Sequence, residues 1–161
     1  TFFGALYTGL MLSFLVVVRT DIAGFWGGFT VVVILASVWL NDTFAFFIGT
    51  KFGRHKMAPR ISPNKSWEGF LAGMVASVGI WCIMPFIPGV YLSFFWAITG
   101  GIACGCIGIL GDLVESRIKR STGHKDSGNL LPGHGGFLDR CDSLILVAAM
   151  ASLILKFSGT I

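Results

Sequence analysis

The sequence predicts an all-α fold, a polytopic transmembrane bundle of about five helices. Of its 161 residues, 54% are hydrophobic and 12% charged, with a mean hydropathy of +0.79. Soluble domains carry about 25% charged residues. The apolar residues also form long stretches, each near or above the roughly 17–20 residues needed to cross the hydrocarbon core as a helix. The stretches are residues 2–18, 25–48, 67–87, 91–110 and 143–157.

Each stretch is predicted to be a helix because backbone polar groups in lipid must find partners within their own segment. The first two stretches are separated by a short turn at residues 19–24, and the third and fourth by another at 85–89. The fifth stretch is the shortest and can be extended at either end. Residues 112–119 are predicted to continue the fourth helix beyond its apolar part.

The distribution of basic residues predicts the topology. The net charge is only +4, but ten of the twelve Lys and Arg residues lie in two connections. The positive-inside rule places both connections in the cytoplasm. We therefore expect a multi-pass protein of the cytoplasmic (inner) membrane, with its active site facing the cytoplasm. The two basic groups are Lys51, Arg54, Lys56, Arg60 and Lys65, then Arg117, Lys119, Arg120, Lys125 and Arg140.

Residues 1–161 are expected to form a single transmembrane catalytic domain. The chain begins with Thr, and we expect it to lack N-terminal spans of a longer protein. Glycines recur at helix-packing spacing, as at Gly69 and Gly73, and from Gly101 to Gly111, which predicts close contacts between helices. The four cysteines show no metal-binding spacing and are interpreted as packing residues.

Acidic residues gather where the apolar stretches meet the second basic connection. Asp112 follows the fourth stretch, and Asp139 and Asp142 precede the fifth, three residues apart. Three such carboxylates repel one another unless a cation lies between them, and Mg²⁺ prefers oxygen ligands of this kind. Taken singly, an Asp at a helix start can equally be a cap. Asp42, inside an apolar run, either completes the metal shell or holds a lysine.

The basic residues supply the other half of a nucleoside triphosphate site. Lys119, Arg120 and Lys125 precede a glycine-rich turn at residues 132–136, which leads into the fifth helix. Backbone N–H groups of such a turn can bind phosphate. In the first connection, Ser62, Lys65 and Glu68 are placed to meet this segment. Lys51, Arg54 and Lys56 are interpreted as anchors to anionic lipid headgroups.

Several motifs together resemble the phosphatidate cytidylyltransferase (CDP-diacylglycerol synthase) family in its bacterial form. The signature covers SRIKR at 116–120, KDSG at 125–128 and LPGHGGFLDRCD at 131–142. Two upstream elements are also similar, SPNKSWEG at 62–69 and WLND at 39–42. Asn41 departs mildly from the small residue that is more common in the family. The resemblance covers most of the chain and marks it as a C-terminal catalytic portion.

The resemblance implies transfer of CMP from CTP to phosphatidic acid, giving CDP-diacylglycerol and pyrophosphate in phospholipid biosynthesis. It implies Mg²⁺, with a second cation left open, held by Asp112, Asp139 and Asp142. The implied partners are CTP, phosphatidic acid and membrane lipids, with no nucleic acid and a homodimer left open. The expected catalytic residues are the three aspartates and Lys125. The expected substrate-binding residues are Ser62, Lys65, Glu68, Lys119, Arg120, Gly133, His134, Gly135, Gly136 and Arg140.

Two other functions remain as alternatives. A CTP-dependent polyprenol or phytol kinase would transfer phosphate to an alcohol and would need a general base. An ion-coupled transporter would spread its carboxylates across the depth of the membrane, whereas here only Asp42 lies well inside. The segment 132–142 favours the cytidylyltransferase over both.

Overall fold

The computed structural model describes residues 2–59, 62–121 and 138–161, and within these ranges the side chains of residues 2, 3, 5, 6, 63, 119–121 and 138–140 lie outside the description. The described chain forms five α-helices, a short 3-10 helix and a two-stranded sheet. The elements are α1 (Phe2–Asp21), α2 (Phe25–Phe52), β1 (Lys56–Ala58), β2 (Ser62–Ser66), α3 (Trp67–Trp81), the 3-10 helix (Met84–Phe86), α4 (Phe94–Ser121) and α5 (Leu138–Phe157).

The predicted all-α membrane bundle is confirmed, and every predicted stretch coincides with a helix. Three of the described helical segments are long and apolar enough to cross a membrane, by length and composition. For α1 and α5 the membrane span stays a prediction. The polar continuation of the fourth helix is also confirmed, because α4 extends to Ser121. The three segments are Phe25–Phe52, Trp67–Phe86 and Phe94–Ile118.

The five helices close into a ring. Contacts join α1 to α2, α2 to α3, α3 to α4, α4 to α5 and α5 back to α1, while α2 also touches α4 and α5. Aliphatic side chains such as Ile34, Val147 and Leu155 fill the interior. Many large apolar side chains point outward instead, among them Phe47 and Phe95, as expected of a surface that faces lipid.

Glycines allow the helices to pack closely, as the sequence predicts. A Cβ on Gly73 of α3 would lie 2.6 Å from the carbonyl oxygen of Asn41 in α2. On α4, a Cβ at Gly101 would lie 2.5 Å from the Val78 Cα atom of α3. Farther along, Gly108 and Gly111 face α5. The row of glycines on α4 therefore allows close contact with two helices, with α3 at Gly101 and with α5 at Gly108 and Gly111.

The first basic connection contains a hairpin, an element that the sequence analysis did not predict. Strand β1 pairs antiparallel with β2 through Lys56 with Ser66 and Ala58 with Ser62, with an irregular register between the two pairs. Ser66 then ends the strand and caps α3, because its hydroxyl accepts the Gly69 N–H at 3.2 Å. The hairpin is thereby joined directly to the start of α3.

Candidate active site

A cavity of about 340 Å³ lies at the hairpin end of the bundle, within the size range of small-molecule sites. Helices α2, α3, α4 and α5 and strand β2 all contribute to its wall. Four charged side chains from four separate segments of the chain line it: Asp42, Lys65, Asp112 and Asp142. The structure thus brings together residues that are as much as 100 positions apart in sequence.

Close packing of α4 on α5 brings two of these carboxylates to one cavity. A Cβ on Gly111 would lie 2.7 Å from the carbonyl oxygen of Asp142 and 3.3 Å from the Cα atom of Ser143. Both atoms are backbone and cannot move aside cheaply. The absence of a side chain at Gly111 therefore allows α4 and α5 to approach closely beside Asp112 and Asp142.

On α2, a buried amide precedes the exposed carboxylate. Asn41 is 2% exposed, and its side chain lies near Gly73 of α3 and Gly108 of α4. The two glycines leave room for this amide between the helices. The next residue, Asp42, reaches the cavity and is exposed there. The placement fits an intramembrane carboxylate, which must face a polar interior.

Both carboxylate oxygens of Asp112 contact another side chain. Its Oδ2 atom lies 2.5 Å from the Lys65 ammonium, and its Oδ1 atom accepts the Ser116 hydroxyl at 3.2 Å. Asp142 accepts the Ser143 N–H through Oδ1 at 2.6 Å. The ion pair joins the hairpin to α4, and it places one positive charge among three carboxylates.

The rest of the cavity wall is largely apolar. Phe46 of α2, Phe70 of α3 and Ile109 of α4 line it. A cavity that combines charged groups with hydrocarbon suits a molecule with a polar head and an apolar tail. The two aromatic residues come from α2 and α3, whose outward faces are also apolar.

Two predicted substrate-binding residues have other neighbours. Glu68 does not line the cavity. Its carboxylate accepts the His55 N–H at 3.2 and 3.3 Å, and its Oε1 atom lies 2.7 Å from the His55 Nδ1 atom. Ser62 is half-buried at the start of β2, opposite Ala58. Their role in binding substrate stays a prediction.

The remaining predicted residues lie outside the described side chains. Asp139 is in the first turn of α5, and its position three residues before Asp142 places both on one helical face. Nothing more is described of Lys119, Arg120, Lys125, Gly133, His134, Gly135, Gly136, Asp139 and Arg140.

The donor chemistry of the cavity suits Mg²⁺, since three residues with carboxylate oxygens, Asp42, Asp112 and Asp142, all line it. Among the described side chains, however, no three His, Cys, Asp or Glu residues are close enough together to hold a metal ion. Asp139 is not among the side chains searched. Of the three predicted Mg²⁺ ligands, the structure therefore describes the side chains of Asp112 and Asp142 but not that of Asp139.

Two hairpin residues that line the cavity were given no role by sequence reasoning. They are Met57 of β1 and Asn64 of β2. Asn64 lies in the SPNKSWEG motif beside Lys65, whereas Met57 lies in no quoted motif. Which of these side chains turn towards the bundle depends on how the hairpin folds back, and a local pattern does not specify that.

Fold and cavity together define a membrane helix bundle with a carboxylate-rich polar site at one end. The chain matches the Cytidylyltransferase family over residues 1–158. It therefore belongs to the cytidylyltransferase family.

The chain is also similar to curated phosphatidate cytidylyltransferases of staphylococci. It is 45% identical to that of Staphylococcus haemolyticus (strain JCSC1435) over 118 residues, 73% of this chain and 45% of the relative. It is 44% identical to that of Staphylococcus aureus (strain COL) over 122 residues, with the same coverage of both chains. The chain thus spans less than half the length of these relatives.

Proposed function

We propose that the protein acts as a phosphatidate cytidylyltransferase, moving CMP from CTP to phosphatidate to give CDP-diacylglycerol and pyrophosphate. The observation that carries this proposal is that one cavity combines charged and aromatic side chains. Asp42, Lys65, Asp112 and Asp142 line it together with Phe46 and Phe70. The charged side chains suit phosphates and their counter-ions, and the aromatic side chains suit the lipid acceptor. The family membership and the names of the staphylococcal relatives support the same reaction.

The reaction requires little proton chemistry from the protein. A phosphate monoester has a second pKa near 6, so the lipid phosphate is largely a dianion at neutral pH. One of its oxygens attacks the α-phosphorus of CTP, the new P–O bond forms, and the bond to the pyrophosphate oxygen breaks. No general base is needed. The main barrier is the repulsion between two anions, so positioning and charge neutralisation are the protein's tasks.

We assign Mg²⁺ to Asp112, Asp139 and Asp142, with Asp42 as an additional ligand or as the partner of a lysine. Bound Mg²⁺ would neutralise phosphate charge and stabilise the departing pyrophosphate. The three cavity carboxylates carry the oxygen ligands that this ion prefers. Asp139 would complete the set from the same face of α5.

Lysine and arginine side chains would neutralise the remaining phosphate charge. Lys65 is held in the cavity by its ion pair with Asp112, so its ammonium is close to where a phosphate would lie. Lys119, Arg120 and Lys125 would act from the second connection, and the backbone of residues 133–136 would contact the triphosphate. The hairpin end of the bundle would then face the cytoplasm, where CTP is available.

Labelled CTP tests the reaction directly. The purified protein would be incubated with phosphatidate in detergent micelles, Mg²⁺ and CTP carrying label on either the α- or the γ-phosphate. We expect α-label in the lipid product and γ-label in pyrophosphate. Transfer of γ-label to a lipid alcohol would instead identify a kinase. Absence of label from lipid in both cases would refute the proposed activity.

A further inference from the structure

Glu68 makes contacts that explain how the hairpin is held, and they point away from substrate binding. It is the second residue of α3, where a carboxylate is favoured by the helix dipole. Its side chain accepts the backbone N–H of His55 through both oxygens, at 3.2 and 3.3 Å. The His55 Nδ1 atom lies 2.7 Å from Oε1 and must be the donor, because an ionised carboxylate only accepts.

A backbone bond completes this connection. The Trp67 N–H donates to the His55 carbonyl oxygen at 3.0 Å. Residue 55 is therefore tied to residues 67 and 68 by its N–H, its carbonyl and its ring. These bonds cross the open end of the hairpin, next to the Lys56–Ser66 pair. We refer to the contacts between His55 and residues 67–68 as the hairpin clasp.

The strands of the hairpin are short. They have three and five residues, and the register is irregular between the two pairs. A hairpin of two strands is at best marginally stable by itself in water. Yet it carries Lys65, whose ammonium must reach Asp112 across the cavity. The position of that ammonium therefore depends on how firmly the base of the hairpin is closed.

We propose that Glu68 is a positioning residue, which acts through the hairpin clasp to hold Lys65 in the cavity. It is not a ligand of the substrate. His55 is the second component of the same device. The catalytic part of this inference rests on the proposed cytidylyl transfer, whereas the structural part does not.

Amide hydrogen exchange tests the structural part without any activity. Glu68→Ala should increase exchange of the hairpin amides in residues 56–66 and leave the core of α4 protected. His55→Ala should have a smaller effect, because the bonds to the His55 backbone remain. His55→Asn should restore protection, since its amide N–H can take the place of Nδ1. Lys56→Ala, an exposed change in the same hairpin, is the control and should not alter exchange.

A double-mutant cycle tests whether Glu68 acts through Lys65. Glu68→Ala alone should lower kcat/KM for cytidylyl transfer by roughly 10- to 100-fold, the range for a misplaced group. In a Lys65→Met background the same change should have almost no further effect, because the residue it positions is already lost. If the two losses multiply, Glu68 contributes independently and the proposal is wrong.

The two experiments separate the possible failures. If the unaltered protein transfers no CMP, the proposed function fails, and hydrogen exchange still decides whether the clasp orders the hairpin. If the protein is active but Glu68→Ala leaves hairpin exchange unchanged, the clasp is refuted and the proposed function stands. His55→Asn gives a further check, because recovery of both exchange protection and kcat/KM requires the hydrogen bond itself.

Discussion

The two ends of the helix bundle use the same packing device for different purposes. At the hairpin end, Gly111 lets the backbone of α5 approach α4, and the charged side chains beside this contact face a cavity. At the other end, Gly100 of α4 makes room for the ring of Trp81, which is completely buried. Glycine gives close approach in both places, but only the first approach leaves an open, polar space.

The difference shows where stability and chemistry are located. Trp81 belongs to the same buried apolar cluster as Met84, Ile87 and Val90. Asp112 instead makes an ion pair with Lys65 and a hydrogen bond with Ser116, and it lines a cavity. We refer to the end at Trp81 as the filled end and to the end at Asp112 as the open end. Changes at the filled end should alter the free energy of unfolding more than activity. Changes at the open end should alter activity more than the free energy of unfolding.

The largest expected effect is at the open end, from Asp112→Asn. The change keeps the shape of the side chain but removes the charge that pairs with Lys65 and would bind Mg²⁺. We expect cytidylyl transfer to fall by more than about a hundredfold, since even residues that only support metal ligands contribute 10- to 100-fold. Mg²⁺ should raise the unfolding temperature of the unaltered protein but not that of Asp112→Asn.

Asp21→Asn is the matched control for that experiment. Asp21 is exposed at the end of α1 and does not line the cavity. Its activity and its response to Mg²⁺ should stay as in the unaltered protein. Near-normal activity of Asp112→Asn would contradict a metal role for this carboxylate.

Gly111→Ala should reduce activity and stability together. The added methyl group would meet backbone atoms of Asp142 and Ser143, so α4 and α5 must separate. Overpacking of this kind typically costs about 1–3 kcal/mol. Displaced carboxylates should lower kcat/KM by roughly 10- to 100-fold. Thermal unfolding in detergent and labelled-CTP assays measure the two effects.

Gly79→Ala provides the comparison, because a methyl group at Gly79 of α3 would meet nothing within 4 Å. It should leave kcat/KM unchanged. If Gly111→Ala behaves in the same way, the close approach of α4 and α5 does not set the position of the carboxylates.

Gly100→Ala applies the same change to the filled end. Its methyl group would overlap the Trp81 ring, which is rigid and fully buried. We expect a loss of about 1–3 kcal/mol in stability, with kcat/KM unchanged at temperatures well below unfolding. A fall in kcat/KM as large as that of Gly111→Ala would show that the two ends are coupled. It would contradict the view that changes near Trp81 affect stability more than activity.

The same contrast explains what the sequence could predict. Helix positions follow from apolar length and from local charge, so α4 was predicted to continue beyond residue 110 and α5 to begin near Asp139. The hairpin clasp was not predicted. Lys65 and Glu68 are three residues apart, and both were assigned to the substrate. The change from strand to helix at Trp67 directs one to the cavity and the other to His55.

The ion pair of Lys65 with Asp112 was also not predicted from the sequence. It joins residues 47 positions apart, and it depends on how the hairpin folds back over the bundle. The sequence indicated that lysines and aspartates share a face of the membrane, but not which lysine meets which aspartate. The roles assigned to residues 122–137 remain predictions, because they lie outside the described residues.

The smallest expected effect comes from Ser77→Ala, away from the cavity. The buried Ser77 hydroxyl of α3 donates to the Gly101 carbonyl oxygen of α4 at 3.0 Å. Hydrogen bonds between membrane helices contribute only about 0.6 kcal/mol on average, because the unfolded chain in lipid also finds partners. A decrease of that size in unfolding free energy, with normal kcat/KM, would mean that close packing at Gly101 holds α3 and α4 together. A loss several times larger would assign that role to the hydrogen bond instead.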